Sequence, residues 1–182
     1  MNLKLEVVVI PVSDVDRAKS FYENLGFRLD IDFAANENYR VIQLTPPGSD
    51  ASIIFGKGIT SAKPGSVDRL ILAVYDIDAA RSELISRGAE VSEVFHDAGG
   101  GLGGGFHTGN EGRAPGPDPE GRSYASYASF SDPDGNLWIL QEIRQRLPGR
   151  VDEPLKGDIT AILLELLKNA AAAHGVHEKE LG

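Results

Sequence analysis

Apolar and polar positions along the chain follow one design twice. The run "LEVVVIPV" (residues 5–12) is β-rich, too short for a helix and apolar on both faces, which predicts a strand buried on both sides. The next stretch, "SDVDRAKSFYENLGF", sets apolar Val15, Ala18, Phe21, Tyr22 and Leu25 at helical spacing, with Ser13 and Asp14 as N-cap candidates and Gly26 as the stop. The plan returns as "RLILAV" followed by Asp76, Ile77, Ala80, Leu84 and Gly88. Laid on each other without a gap, residues 12–27 and 74–89 agree at Val12/Val74, Asp14/Asp76, Asp16/Asp78, Ala18/Ala80, Ser20/Ser82 and Gly26/Gly88. Shorter β-like pieces follow each helix, "RVIQLT" and "ASIIFG" in the first half, "VSEVF", "SYASYASF" and "LWILQEI" in the second. The simplest fold is α+β, with two tandem βαβββ units over about residues 3–58 and 67–146. Neither unit closes a core alone, so the two are expected to pair through their sheets into a curled, cup-shaped mixed sheet.

Two segments break the plan. From His96 to Arg122 the chain reads "HDAGGGLGGGFHTGNEGRAPGPDPEGR", too rich in glycine and proline for a regular element, and so a lid, a binding loop or a disordered insertion. Its formal GxGxxG at Gly99, Gly101 and Gly104 is no dinucleotide fingerprint, because no helix follows to receive a pyrophosphate. Residues 147–182 form a linker and then an appended C-terminal amphipathic helix, "DITAILLELLKNAAAAHG", with Asp158 as N-cap and Gly175 past its end. Its stripe of Ile159, Ile162, Leu163, Leu166, Leu167 and Ala170 calls for cover, either by residues 1–146 or by a second chain in a homodimer. His174 and His177 read as a polar tail unless the helix continues through Gly175.

Composition narrows the function. A chain of 182 residues, 41% hydrophobic and 25% charged, reads as globular. A formal net charge of −9 with scattered Lys and Arg argues against a nucleic-acid surface. No run is long and apolar enough to span a bilayer, and the N-terminus enters a strand pattern directly, so a cytoplasmic location is the default expectation. With no cysteine, thiolate ligands, disulfides and a cysteine nucleophile are all absent.

The paired βαβββ plan, "VSDVDRAKSFYENLGF" and the closing "FSDPDGNLWILQE" together resemble the glyoxalase, bleomycin-resistance and extradiol-dioxygenase superfamily, the vicinal oxygen chelate proteins, over roughly residues 3 to 145. The resemblance implies a cup holding either a divalent metal or a small organic ligand. It further implies a metal-ligating histidine five residues before the valine that ends the first strand of each half, and carboxylates or similar groups on the last strand of each half. Those places hold Val7, Arg69, Ser52 or Ile54, and Ile139. Valine and isoleucine offer no lone pairs and arginine adds a repelling charge, so no metal or other cofactor is expected. Glu6 and Glu142 lie at odd offsets and point to the opposite sheet face.

By strand parity the cup should present Val7, Val9, Arg69, Ile71, Ala73, Leu137, Ile139 and Gln141, a mostly apolar hollow suited to an organic ligand. Arg69 then pairs a carboxylate, phenolate or phosphate of that ligand, or else a surface acid such as Asp68 or Glu6. Gln141 is a second polar candidate, and His96, Phe106, His107 and Tyr124 are candidate lid residues or plain loop anchors. Two function classes remain. One is a metal-independent binding protein of the bleomycin-resistance kind. The other is a lyase, isomerase or dioxygenase with a non-standard metal or an Arg69-based oxyanion site, for which no catalytic residue can be assigned.

Overall fold

The computed structural model describes residues 3–101, 104–107 and 109–147, and the helix and the two histidines expected near the C-terminus lie outside them. The chain divides into a unit Met1–Arg144, described below, and a unit Gln145–Gly182. The first half runs β1 (Val7–Val9), α1 (Val15–Asn24), β2 (Arg28–Asn36), β3 (Tyr39–Thr45) and β4 (Ser52–Lys57). The second runs β5 (Leu70–Val74), α2 (Ile77–Ser86), β6 (Phe95–Asp97), a 3-10 turn (Gly104–Phe106), β7 (Arg113–Pro115), β8 (Ser126–Ser131) and β9 (Leu137–Glu142). The fold is α+β, built from two repeats as expected. It contains two sheets, ordered β1-β4-β3-β2 and β5-β9-β8-β6-β7. In each, the first strand lies parallel to the last, and the remaining pairs are antiparallel.

The duplicated helix signals act as the residues dictate. Asp14 and Asp76 both sit in extended backbone and accept from the amides of Arg17 and Ala79, satisfying donors that a helix start leaves open. Gly26 and Gly88 follow the helices at φ of 92° and 94°, where a Cβ is unfavourable. Val15, Ala18, Tyr22 and Leu25 are buried, and one apolar cluster joins them to Ile42, Leu44, Ile53 and Phe55 of the first half. The same cluster takes in Ile77, Phe130, Trp138 and Leu140 of the second, so the halves share a core on their helix-bearing sides.

Tyr22 and the turn between β8 and β9 lock this arrangement. The Tyr22 hydroxyl donates to Asp132 at 2.9 Å and accepts from Trp138 Nε1 at 3.2 Å. Burial, reinforced by the Asp132 charge, pushes the phenol far above its ordinary range, so it stays a neutral donor. Within "SDPDGN", Asn136 Nδ2 donates to Pro11 O and to Asp132, and its Oδ1 accepts from Val67 N. Asp134 receives the Ser13 amide, the Ser13 hydroxyl and Arg17. The motif thus ties the start of α1 to the turn of the β8–β9 hairpin.

Two expectations are corrected, and one strand was not foreseen. β1 is not buried on both faces, since Val9 is 42% exposed. The glycine-rich insertion does hold regular pieces, because β6 and β7 pair within it, and Pro115 is tolerated where β7 forms the sheet edge and no further strand needs its missing N–H. β2 escaped sequence reading because "RLDIDFAAN" carries two aspartates that disfavour a strand. Asp32 is held by Lys19 at 2.8 Å and by both Nε and Nη2 of Arg40 at 2.9 Å. Those bonds, Arg40's first, keep its carboxyl far below the usual range.

Candidate functional site

Each sheet has a second face, outside the shared core. On the first sheet, register pairs Val7 with Ser52 and Val9 with Ile54, and sets Gln43 opposite both Ile54 and Ile31. Side chains alternate along a strand, so these residues share one face while Ile42, Leu44, Ile53 and Phe55 fill the other. The face is apolar and open, with Val9, Ile31 and Phe33 at 42%, 46% and 56% exposure. One polar line crosses it. Gln43 Nε2 donates to Ser52 Oγ at 3.1 Å, Ser52 Oγ and Thr45 Oγ1 share a hydrogen at 2.7 Å, and the Thr45 hydroxyl also reaches Asp30. The Thr45 bond and then Arg28 hold the Asp30 carboxyl below its ordinary range, so it remains an acceptor.

The corresponding face of the second sheet is mostly covered. Ile71 pairs with Ile139 and Ala73 with Gln141, in the parity expected. Ile139 and Tyr127 are fully buried and cluster with Phe95. The cover is the glycine-rich insertion. A Cβ built on Gly105 would stand 2.6 Å from two carbons of the Tyr127 ring, so the backbone lies directly on that ring. Arg69 Nη1 donates to the carbonyl of Phe106 at 2.9 Å, and its Nε faces Asp68 at 3.4 Å. Arg69 itself adopts φ of 66°, a left-handed backbone rare for a residue with a side chain.

The remaining expected residues fall as follows. Gln141 is buried and donates to the Tyr124 carbonyl at 3.1 Å, which also accepts from the Tyr127 hydroxyl. Tyr124 has φ of 70° and contributes that carbonyl. Phe106 is exposed, and His107 Nε2 lies 3.6 Å from Asp97. His96 does not reach this face. Its Nδ1 meets Gly116 O at 2.9 Å beside a separate cleft of about 180 Å³ shared with Asp118 and Arg122. Val7, Ser52 and Ile54 are brought together on one sheet, and Arg69, Ile139 and Gln141 on the other. No hydrogen bond or shared apolar cluster among the described residues joins the two groups.

The donor set at the expected metal positions does not fit a divalent ion. Val7, Ile54 and Ile139 supply hydrocarbon, Ser52 a neutral hydroxyl already bonded within the sheet, and Arg69 a positive charge. Among the described residues no group of three or more His, Asp or Glu side chains is arranged to hold a metal. Glu142, the nearest carboxylate to Ile139 in the chain, points the other way and accepts the Ile77 amide at the start of α2. Sequence reasoning missed Asp30, Gln43 and Thr45, although Gln43 and Thr45 have the parity of the open face. It also missed Phe95, Tyr127 and Arg113, because their use depends on where the insertion settles.

Two βαβββ repeats around one core, each leaving a second sheet face outside it, define the architecture. The sequence model of the Glyoxalase/Bleomycin resistance protein/Dioxygenase superfamily matches residues 4–140, and the chain belongs to that superfamily. Among solved structures it is similar to TnmS3, an antibiotic binding protein from Streptomyces sp. CB03234, with 30% identity and a TM-score of 0.55 over 78% of this chain and 97% of that one. A glyoxalase/bleomycin resistance protein from the same organism shows 30% identity and a TM-score of 0.53 over 76% of this chain and 100% of its own. A superfamily member from Sphaerobacter thermophilus shows 28% identity and a TM-score of 0.55 over 78% of this chain and 98% of its own. No curated protein matches the chain.

Proposed function

We propose that this protein binds a small organic molecule, without a metal, on the sheet faces that its superfamily uses as a cup. The observation that carries the reading is the open face of Val7, Val9, Ile31, Phe33 and Ile54, crossed by the Gln43–Ser52–Thr45–Asp30 line. An apolar wall with a few oriented polar groups fixes an organic ligand's position through hydrogen bonds and its affinity through burial. The antibiotic-binding relative at 30% identity supports the same class of ligand.

The binding cup in this reading is completed by a second copy of the chain. No described residue of Met1–Arg144 covers the open face of the first sheet, and an exposed apolar patch of this kind marks an interaction surface. Binding is tested by titrating the protein with a panel of aromatic antibiotics, followed by heat of binding. Ile54→Arg places a charged side chain on the face without touching the core, and is expected to abolish binding while leaving the unfolding midpoint nearly unchanged. Undiminished binding in that variant contradicts the reading. Phe33→Asp is expected to shift sedimentation from dimer to monomer, and a wild-type monomer at high concentration removes the second copy.

A further inference from the structure

Arg69 and Arg113 stand at opposite edges of the second sheet. Arg69 precedes β5 and Arg113 begins β7, the two outermost strands. Five strands at the usual spacing place those edges about 19 Å apart. Burial, and after it the charge of Arg69, depresses the pKa of the Arg113 guanidinium. Arg69 Nη1 donates to the carbonyl of Phe106, next to the Gly105 backbone that lies on the Tyr127 ring. There Arg113 Cζ lies 4.0 Å from the centre of the Phe95 ring, and Phe95 stacks on Tyr127 at 5.6 Å.

The polar accounting of this pair is incomplete. Arg113 Nη1 donates to Asn110 at 2.9 Å, but its Nε is buried with no hydrogen-bond partner, and among the described residues it is the one buried side-chain N or O atom in that position. Arg69 spends Nη1 on a neutral carbonyl, that of Phe106. Of the neighbouring carboxylates, Asp97 accepts the Gly99 amide and faces His107, while Asp68 pairs Arg69 Nε at 3.4 Å from a largely exposed position. Among the described residues no single anion serves both cations, and Arg113 keeps an orphaned donor.

We propose that an aromatic anion, a planar ring bearing a carboxylate or a similar acidic group, binds here between Arg69 and Arg113, taking the place that the Gly104–Phe106 turn occupies in its absence. The acidic group replaces the Phe106 carbonyl on Arg69 and supplies the acceptor that Arg113 Nε lacks. The ring replaces the backbone of Gly105 on the Tyr127 and Phe95 stack. The turn is then a stand-in for the ligand, and binding releases it. This rests on the ligand-binding reading above and adds to it the chemical class and the second-sheet subsite.

The test compares 2-naphthoate with its neutral counterpart 2-naphthamide on the full-length protein, by calorimetry and by ligand-observed NMR. The wild type is expected to bind the acid at least about 10-fold more tightly, in line with charge-assisted bonds to arginine. Arg113→Gln and Arg69→Gln should each remove most of that preference while leaving amide binding in place, and Arg113→Lys should restore part of it. Raising the salt concentration should weaken the acid and spare the amide. Equal binding of acid and amide to the wild type overturns the inference and leaves the ligand-binding reading intact. A preference that survives in both glutamine variants overturns it as well. Binding of neither compound sinks this subsite.

Discussion

Gly105→Ala isolates the contact that closes the second sheet face. Gly105 is not among the glycines with positive φ, so alanine meets no backbone strain there, and its effect on the folded state is steric. The new Cβ would lie 2.6 Å from Cδ1 and Cε1 of Tyr127, far inside ordinary contact. The ring has little freedom to yield, being stacked on Phe95 and anchored through its hydroxyl to the Tyr124 carbonyl. The turn must therefore lift by about 1 Å, which carries the adjacent Phe106 carbonyl off Arg69 and forfeits a 2.9 Å charge-assisted bond. Such a bond contributes about 1.5–3 kcal/mol, and the loss of glycine's freedom in the unfolded chain returns about 0.4–1 kcal/mol. Local opening of the turn should rise by roughly 10-fold, because about 1.4 kcal/mol is one decade. Hydrogen exchange at Gly105–His107, read by mass spectrometry, should accelerate by that factor. The urea midpoint should move little, since the turn opens as a local unit. Unchanged exchange in the turn would refute the packing argument. A matching fall in global stability would show instead that the turn is integral to the fold.

Three further substitutions test the frame around the site. Tyr22→Phe strips Trp138 Nε1 of its acceptor and Asp132 of one donor, and should cost about 1–3 kcal/mol in urea unfolding followed by the fluorescence of Trp138, the single tryptophan; an unchanged midpoint would deny the tie between halves. Asn136→Ala leaves Pro11 O, Val67 N and Asp132 short of partners in a buried place, and should cost about 3–5 kcal/mol by the same assay, clearly more than Tyr22→Phe. Asp118 is held at about 2, below its ordinary 3.8, chiefly by hydrogen bonds from the Arg122 side chain. Because the folded value is the lower one, this stabilisation is complete above about pH 4 and is lost as the pH falls through about 2. Asp118→Asn should therefore be less stable than wild type at neutral pH and should flatten the acid limb, and parallel acid limbs would contradict that assignment.

The repeat was legible because its signals are local. Asp14 and Asp76 cap helices through contacts three residues away, and Gly26 and Gly88 end them, so one pattern read twice yields both halves. Strand parity likewise placed Val7 beside Ser52 and Ile139 beside Ile71, and turned Glu142 away from them. β2 was hidden because Asp32 is compensated by Lys19 and Arg40 from other elements, which no window of sequence displays. The cover over Tyr127 was hidden for a different reason. Its key residue, Gly105, acts by lacking a side chain, and twelve other residues from 96 to 122 are also glycine or proline, with no distinguishing neighbour pattern. The partnership of Arg69 and Arg113 depends on that cover and on sheet order, so it emerges only in three dimensions.

In the proposed function the ligand is captured by hydrocarbon and guanidinium rather than by a coordinated ion. Titration of 8-anilinonaphthalene-1-sulfonate, an aromatic anion whose fluorescence reports binding, should be repeated on full-length protein before and after exhaustive chelation, with Ile54→Arg and Arg69→Gln alongside. The expected result is an affinity indifferent to chelation and weakened in both variants. Binding that vanishes with chelation and returns on adding zinc, nickel, manganese or iron would contradict it.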